Sequence, residues 1–337
     1  MNLRRRPSFV AALLLVSTAA SLFTAEPEVA PLPPGVRAVW DLDRAFREAT
    51  PTRERICING LWRWQPATAG TTAVPPGRWG FFKVPACWPG ITDYMQKDFQ
   101  TLFSHAAWKN ESLRALSAAW YQREITVPAN WSGRRIALAA DYVNSIATVF
   151  VDGTKRGEIR FPAGELDLTT ALRPGATHLL SVHVLAVPLK DVLVSFADTN
   201  TAREVRGRVA RRGLCGDVFL VSSPVSAQIT DVKIDPSFRR GELGFDLAVA
   251  GLAPGGIYRV ETSITRDGKQ VATFTSQPIT AATVVNGRVR LTERWRPDAL
   301  WDAHTPQNTF VAQCTLREQG GAVADTAFNV RFGFREF

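Results

Sequence analysis

The chain has 337 residues, 45% hydrophobic and 21% charged, with a formal net charge of +9. This is globular composition, long enough for two full cores, and it excludes a disordered chain. The positive excess is scattered arginine without an aromatic–basic stripe or a helix-turn-helix pattern, so no nucleic-acid partner is expected.

In chain order, Arg4, Arg5 and Arg6 precede an apolar stretch from Phe9 to Val16 and then the small residues Ser17, Thr18, Ala19 and Ala20. That order is the charged, apolar and cleavage region of a secretory signal, assigned to 1–24. The apolar run is short for a bilayer span. A secreted or periplasmic protein is expected, with no membrane attachment after cleavage. Residues 25–54 are a leader carrying Pro27, Pro31, Pro33 and Pro34, read as a linker with one helical turn around Leu42 to Glu48.

From there the pattern is strands and turns. Tyr121, Arg123, Ile125 and Val127 alternate with Trp120, Gln122, Glu124 and Thr126, the period of a strand. Pro128 ends it. Ile136 to Ala140 predicts another strand. Ile146 to Val151 runs into Asp152-Gly153, a hairpin turn. Leu179 to Val187 is apolar almost throughout, as in a strand covered on both faces. Beyond Pro224, strands are predicted at Leu243 to Val249, Tyr258 to Ile264 with a turn at Asp267-Gly268, Thr309 to Leu316, and Ala327 to Phe334. Many short strands without long amphipathic helices imply an all-β chain: a jelly-roll sandwich at 55–223 and an immunoglobulin-like sandwich at 224–332.

The chemistry-bearing residues are sparse. Cys57, Cys87, Cys215 and Cys314 fit no zinc spacing and include no CxxC. Export permits oxidation, and a Cys57–Cys87 bridge is left open; Cys314 alternates with Phe310, Ala312 and Leu316 and reads as a core thiol. His105, His178, His183 and His304 are dispersed, and His183 reads as a core histidine. No metal or cofactor is expected, since no HExxH, P-loop, GxSxG or dinucleotide fingerprint occurs. Asn110-Glu111 lies in a polar loop. Asp41 with Asp43, and Glu165 with Asp167, read as turn or solvated residues. Eight of the ten tryptophans fall between Trp40 and Trp131. Trp88 and Trp108, in or beside the long loop 88–119, are the candidates for stacking on a sugar. Arg206, Arg208, Arg211 and Arg212 form a basic cluster, either a solvated loop or a contact for an anionic glycan.

The order of motifs resembles glycoside hydrolase family 2. Ile58-Asn59-Gly60-Leu61-Trp62 resembles its "NGxW" strand, and Val84-Pro85-Ala86-Cys87-Trp88 its "VPxxW" element. Trp120-Tyr121-Gln122-Arg123-Glu124, followed by Val127-Pro128 and Trp131, resembles "WYQRE…VPxxW". Val151-Asp152-Gly153, Gly157 and Asp167-Leu168-Thr169 resemble "V(N/D)G…G…DxT", and Gly213 to Val218 resembles "GIxRDV". Trp301-Asp302, Thr305-Pro306 and Phe332 to Arg335 resemble the end of the family's second domain. Two departures stand out: Gly216 replaces the motif arginine, and Gly207 stands where an acidic sugar contact is often found.

The resemblance implies that 333–337 begin a (β/α)8 barrel and that the two catalytic carboxylates, which must stand about 5 Å apart for retention, lie beyond residue 337. No catalytic residue is then expected within the chain. The chain would scaffold the barrel, in cis or as a separate chain, and shape a β-glycoside rim with Trp88, Trp108, Arg206, Arg208 and Arg211. The alternatives are a stand-alone carbohydrate-binding module and a partner-docking structural protein.

Overall fold

A computed structural model describes residues 28–88, 101–187, 193–196, 202–205 and 211–335. The signal-like segment 1–24 lies outside them. Among the described residues the regular structure is strand and short 3-10 turn, as the alternation predicts. No helix among them is long and apolar enough to cross a membrane.

Residues up to Ser223 build two large antiparallel sheets, besides two two-stranded pairs, Leu193–Phe196 with Ala202–Val205 and Val143–Asn144 with Gly213–Leu214. One has five strands in the order Arg47–Ala49, Glu54–Cys57, Val218–Ser223, Arg135–Ala140, Gly164–Asp167. The other has seven: Thr154–Arg160, Ile146–Val151, Thr177–Leu185, Ala118–Thr126, Gly60–Ala67, Gly80–Val84, Leu102–Phe103. One core joins them, drawing Trp62, Tyr121 and Val182 from the second sheet and Ile56, Leu138 and Leu220 from the first. The strand Thr177–Leu185 is buried on both faces because the seven-stranded sheet carries a second, outer cluster of Trp79, Trp120 and Phe150. His183 stands opposite Trp120 in register, with ring centroids 4.8 Å apart. Burial pushes its pKa down, so it packs as a neutral core ring.

Residues from Ala227 to Phe334 enclose a separate core. Its three-stranded sheet is Gln228–Ser237, Glu242–Ala250, Arg288–Arg294, and its second sheet is built on Tyr258–Arg266 and Phe310–Glu318. The hairpin corners follow turn chemistry. Asp152-Gly153, Asp267-Gly268 and Asn286-Gly287 all have positive φ at both positions, the geometry in which a two-residue turn matches strand twist.

Three expectations change. The leader is not a free linker: Ala30 N–H donates to Trp79 O at 2.7 Å, Trp79 N–H donates to Glu28 O at 3.0 Å, and Trp40 Nε1 donates to Cys57 O at 2.9 Å. The helical turn around Leu42 to Glu48 is instead a turn and the edge strand Arg47–Ala49. Cross-strand charge favours it, since Glu48 faces Arg55 in register and bonds its guanidinium at 2.6 Å. The strand predicted from Ala327 to Phe334 is shorter, Val330–Phe332, and a separate strand Val323–Thr326 precedes it. Phe334 is fully buried against Trp295 and Phe310, and its carbonyl accepts from Trp301 N–H at 3.0 Å. Residues 336 and 337 lie outside the described residues.

The Asp152 corner also sets a pH response. Its carboxylate accepts from Leu179 N–H at 2.8 Å and from His178 Nδ1 at 2.7 Å. His178 Nε2 accepts from Arg173 N–H at 2.9 Å, so Nδ1 is the nitrogen that donates to Asp152. Partial burial opposes ionisation of Asp152, but the His178 and Leu179 hydrogen bonds outweigh it and hold the carboxyl below the usual range. Asp167 is displaced the same way: burial opposes, and the Thr169 and Arg135 contacts prevail. A depressed carboxylate binds fewer protons folded than unfolded. Its stabilisation is therefore present above the unfolded pKa of about 3.9 and is lost as pH falls through the folded value. Thermal melting midpoints should stay level down to about pH 5 and decline below about pH 4. In Asp152→Asn the acid decline should be shallower; an unchanged slope would remove this corner from the account.

Candidate functional site

The two tryptophans expected to meet sugar are core residues. Trp88 is completely buried; its Nε1 donates to Tyr121 Oη and the Arg212 guanidinium lies 5.8 Å from its ring centre. Trp108 is 5% exposed, meets Trp64 edge-on at 5.4 Å, and donates to Arg78 O at 2.9 Å. With both faces packed and both indole N–H groups bonded, neither ring is open to a ligand. They are indistinguishable in sequence from exposed loop aromatics because the loop folds back: Ala86 N–H and Trp88 N–H bond Leu214 O and Arg212 O.

The basic cluster divides. Arg206 and Arg208 lie outside the described residues. Arg211 is exposed, and its carbonyl accepts from Asn144 Nδ2 at 2.7 Å. Arg212 turns inward and bonds the carbonyls of Arg114 and Leu116.

Carboxylates show no pair enclosed by a cleft among the described residues. Glu111 is exposed. Glu165 and Asp167 both bond Arg135, at 3.0 and 3.1 Å, and Asp41 accepts from Asp43 N–H. The sequence reading missed one coupled pair, Asp141 and Asp217. Partial burial and then the Asp217 charge raise Asp141. Both are exposed, at the ends of two inner strands of the five-stranded sheet, and Asp217 is engaged by Asn59 Nδ2 at 2.8 Å. No group of three or more His, Cys, Asp or Glu side chains is placed to hold a metal among the described residues.

A concavity lies elsewhere among the described residues. A cleft of about 580 Å³ runs between the leader and the outer face of the seven-stranded sheet, lined by Leu32, Arg37, Trp40, Arg63, Phe81 and Thr177. A neighbouring hollow of about 480 Å³ shares Arg37 and Trp40 and adds Asp41, Arg44 and Asn59. Arg123 borders both. It is 5% exposed and gives its guanidinium to the carbonyls of Ile58, Asn59 and Leu61 at 2.5–2.7 Å. Burial lowers its pKa to about 10. It clamps the Asn59-Gly60 corner, and Gly60 has φ +123° there. Arg63 is held by Gln122 and Glu124. Arg37, exposed, and the half-buried ring of Trp40 are left as the groups a ligand could meet. The only sequence signal for this cleft was an aromatic and an arginine inside a Pro-rich leader.

No family model and no curated protein matches the chain. Solved structures do. The β-glucuronidase of Bifidobacterium dentium, complexed with coumarin-3-O-glucuronide, aligns with a TM-score of 0.61 at 19% identity, over 86% of this chain and 49% of that one. The likeness is one of fold. A β-glucuronidase of Faecalibacterium prausnitzii gives 0.56 at 20% identity, over 86% and 47%. A putative β-galactosidase from Bacteroides fragilis gives 0.57 at 18%, over 85% and 41%. The chain spans between 41% and 49% of the length of these three proteins.

The departure at Gly216 has a steric cause. A Cβ there would stand 2.4 Å from Tyr142 N and 2.9 Å from Asp141 C. Those are backbone atoms, and Gly216 is fixed against them because its N–H donates to Tyr142 O at 3.0 Å. No side chain fits, arginine included.

Proposed function

We propose that this chain corresponds to the non-catalytic part of a family 2-like glycoside hydrolase, a jelly roll and an immunoglobulin-like sandwich that support a catalytic domain and border its substrate rim. The observation that carries the reading is the fold likeness, over most of this chain, to β-glucuronidases and a β-galactosidase about twice its length. In this reading the glycosidic chemistry, the β-glycoside substrate and the catalytic partner belong to the larger assembly. Arg211, with Arg206 and Arg208, supplies positive charge to the rim, and the 1–24 segment directs export.

The test is an assay of the purified chain on 4-nitrophenyl β-glucuronide, β-galactoside and β-mannoside. No turnover above the buffer rate is expected. Turnover that Asp141→Asn or Asp217→Asn abolishes would sink the scaffold reading.

The leader cleft favours a second reading, a carbohydrate-binding module, because Trp40 offers an amphipathic ring beside Arg37. Calorimetric titration with oligosaccharides separates the two. Millimolar or tighter binding that Trp40→Ala removes supports the module, and heats equal to dilution count against it.

A further inference from the structure

The four cysteines occupy unlike places. Cys314 is buried in the second core against the Thr262 hydroxyl, at 3.5 Å. Cys57 ends an inner strand of the five-stranded sheet, its carbonyl held by Trp40. Cys87 and Cys215 meet. Ala86 N–H to Leu214 O at 3.1 Å and Trp88 N–H to Arg212 O at 2.9 Å lay the Cys87 segment antiparallel to residues 212–214. Cys87 is thereby paired with Gly213, two residues before Cys215, which places the two thiols near enough to interact. Cys215 is itself fixed, its N–H donating to Tyr142 O at 3.0 Å. The Cys57–Cys87 pairing left open by the sequence is displaced by this arrangement.

We propose that Cys87 and Cys215 are a cross-linking site, forming an intrachain disulfide when the protein meets an oxidising environment. The contact needed already exists between two segments registered by backbone hydrogen bonds, so closure requires no rearrangement of strands. The local chemistry suits exchange. Donation from Cys215, aided by the Arg211 charge and opposed by the burial of Cys87, holds the Cys87 thiol below its ordinary range, which favours its thiolate. Cys215 is half-buried rather than sealed in the core.

The oxidant is an external disulfide, either small-molecule or carried by an exchange protein. The Cys87 thiolate attacks one of its sulfurs and expels the other as a thiolate. Cys215 gives up its proton, attacks the Cys87 sulfur of the mixed disulfide and expels the second thiol. Two cysteine thiols are oxidised and one external disulfide is reduced to two thiols. The bridge would close a loop of more than about 100 residues, the range in which constraint of the unfolded chain is greatest. It would also pin the segment carrying the buried Trp88. None of this depends on the scaffold reading.

The experiment equilibrates the full chain with a glutathione redox couple, blocks free thiols and digests without reduction. The expected result is two blocked thiols instead of four, and a linked pair of tryptic peptides, one with Cys87 and one with Cys215. The oxidised form should melt several degrees above the reduced form, and Cys87→Ser or Cys215→Ser should each abolish that difference. Cys314→Ser should leave the linked peptide in place. Four free thiols in the folded, oxidant-treated protein would overturn the proposal, as would a Cys57–Cys87 linkage. The peptide map is read on the unmutated chain, so it decides the matter even if a serine variant fails to fold.

Discussion

Asp325→Ala is expected to cost about 3–5 kcal/mol, the usual consequence of leaving one member of a buried ion pair alone. Asp325 is wholly inaccessible and receives four groups from outside its own strand. Thr52 Oγ1 lies at 2.9 Å, Arg53 Nε at 2.7 Å, Arg53 Nη2 is closer still, and Ile229 N–H lies at 2.7 Å. Thr52 and Arg53 belong to the corner between the first two strands, whereas Asp325 belongs to the second core. Around the pair, Thr50 Oγ1 donates to Thr326 O and Thr326 N–H donates to Thr52 Oγ1, both within 2.8 Å. The Arg55 guanidinium stands between the rings of Phe219 and Phe328, at 5.0 and 5.1 Å. The latch therefore couples the two sandwiches, and its loss should do more than lower the melting point. A single transition should separate into two, the second sandwich melting by itself. Asp325→Leu combined with Arg53→Met should recover much of the loss, because an apolar pair has no stranded charge. A single-variant cost under about 1 kcal/mol would refute the view that this pair is desolvated and coupled.

Much of the architecture was legible before any coordinates. Alternation alone placed the strands around Tyr121, Ile136, Phe150 and Leu247, because side-chain period fixes which residues face a core. Asp-Gly pairs placed two hairpin corners, since few sequences accept positive φ twice in succession. What failed depended on long-range closure. Trp88 and Trp108 read as loop aromatics, yet backbone bonds to residues 212–214 and the indole bond of Trp108 to Arg78 O draw them into the core. The leader read as a linker because prolines mark its start, while Trp40 and Arg47 anchor it through partners at positions 57 and 54. The Cys87–Cys215 contact was hidden for the same reason: a separation of more than a hundred residues carries no spacing signal.

Gly213→Ala is expected to be a strongly damaging single-methyl change, at roughly 3–5 kcal/mol when backbone strain and overpacking are combined. Its φ is +110°, a region that residues with a Cβ rarely enter. The added carbon would stand 2.6 Å from both Trp88 Nε1 and Tyr121 Oη. Neither neighbour can yield. Trp88 and Tyr121 are fully buried and bonded to each other, and the Tyr121 hydroxyl also takes Leu214 N–H at 3.4 Å. Burial raises the Tyr121 pKa strongly, so the hydroxyl stays protonated while it accepts from Trp88 Nε1 and Leu214 N–H. Gly133→Ala supplies the control: its φ is +74° and nothing lies within 4 Å of the added carbon. That variant should lose only about 1 kcal/mol, from backbone strain alone. The difference between the two measured by denaturant unfolding isolates the steric contribution. Equal losses would mean that the Trp88–Tyr121 contact gives way, and that the segment carrying Cys87 is held less firmly against residues 212–214 than its hydrogen bonds imply.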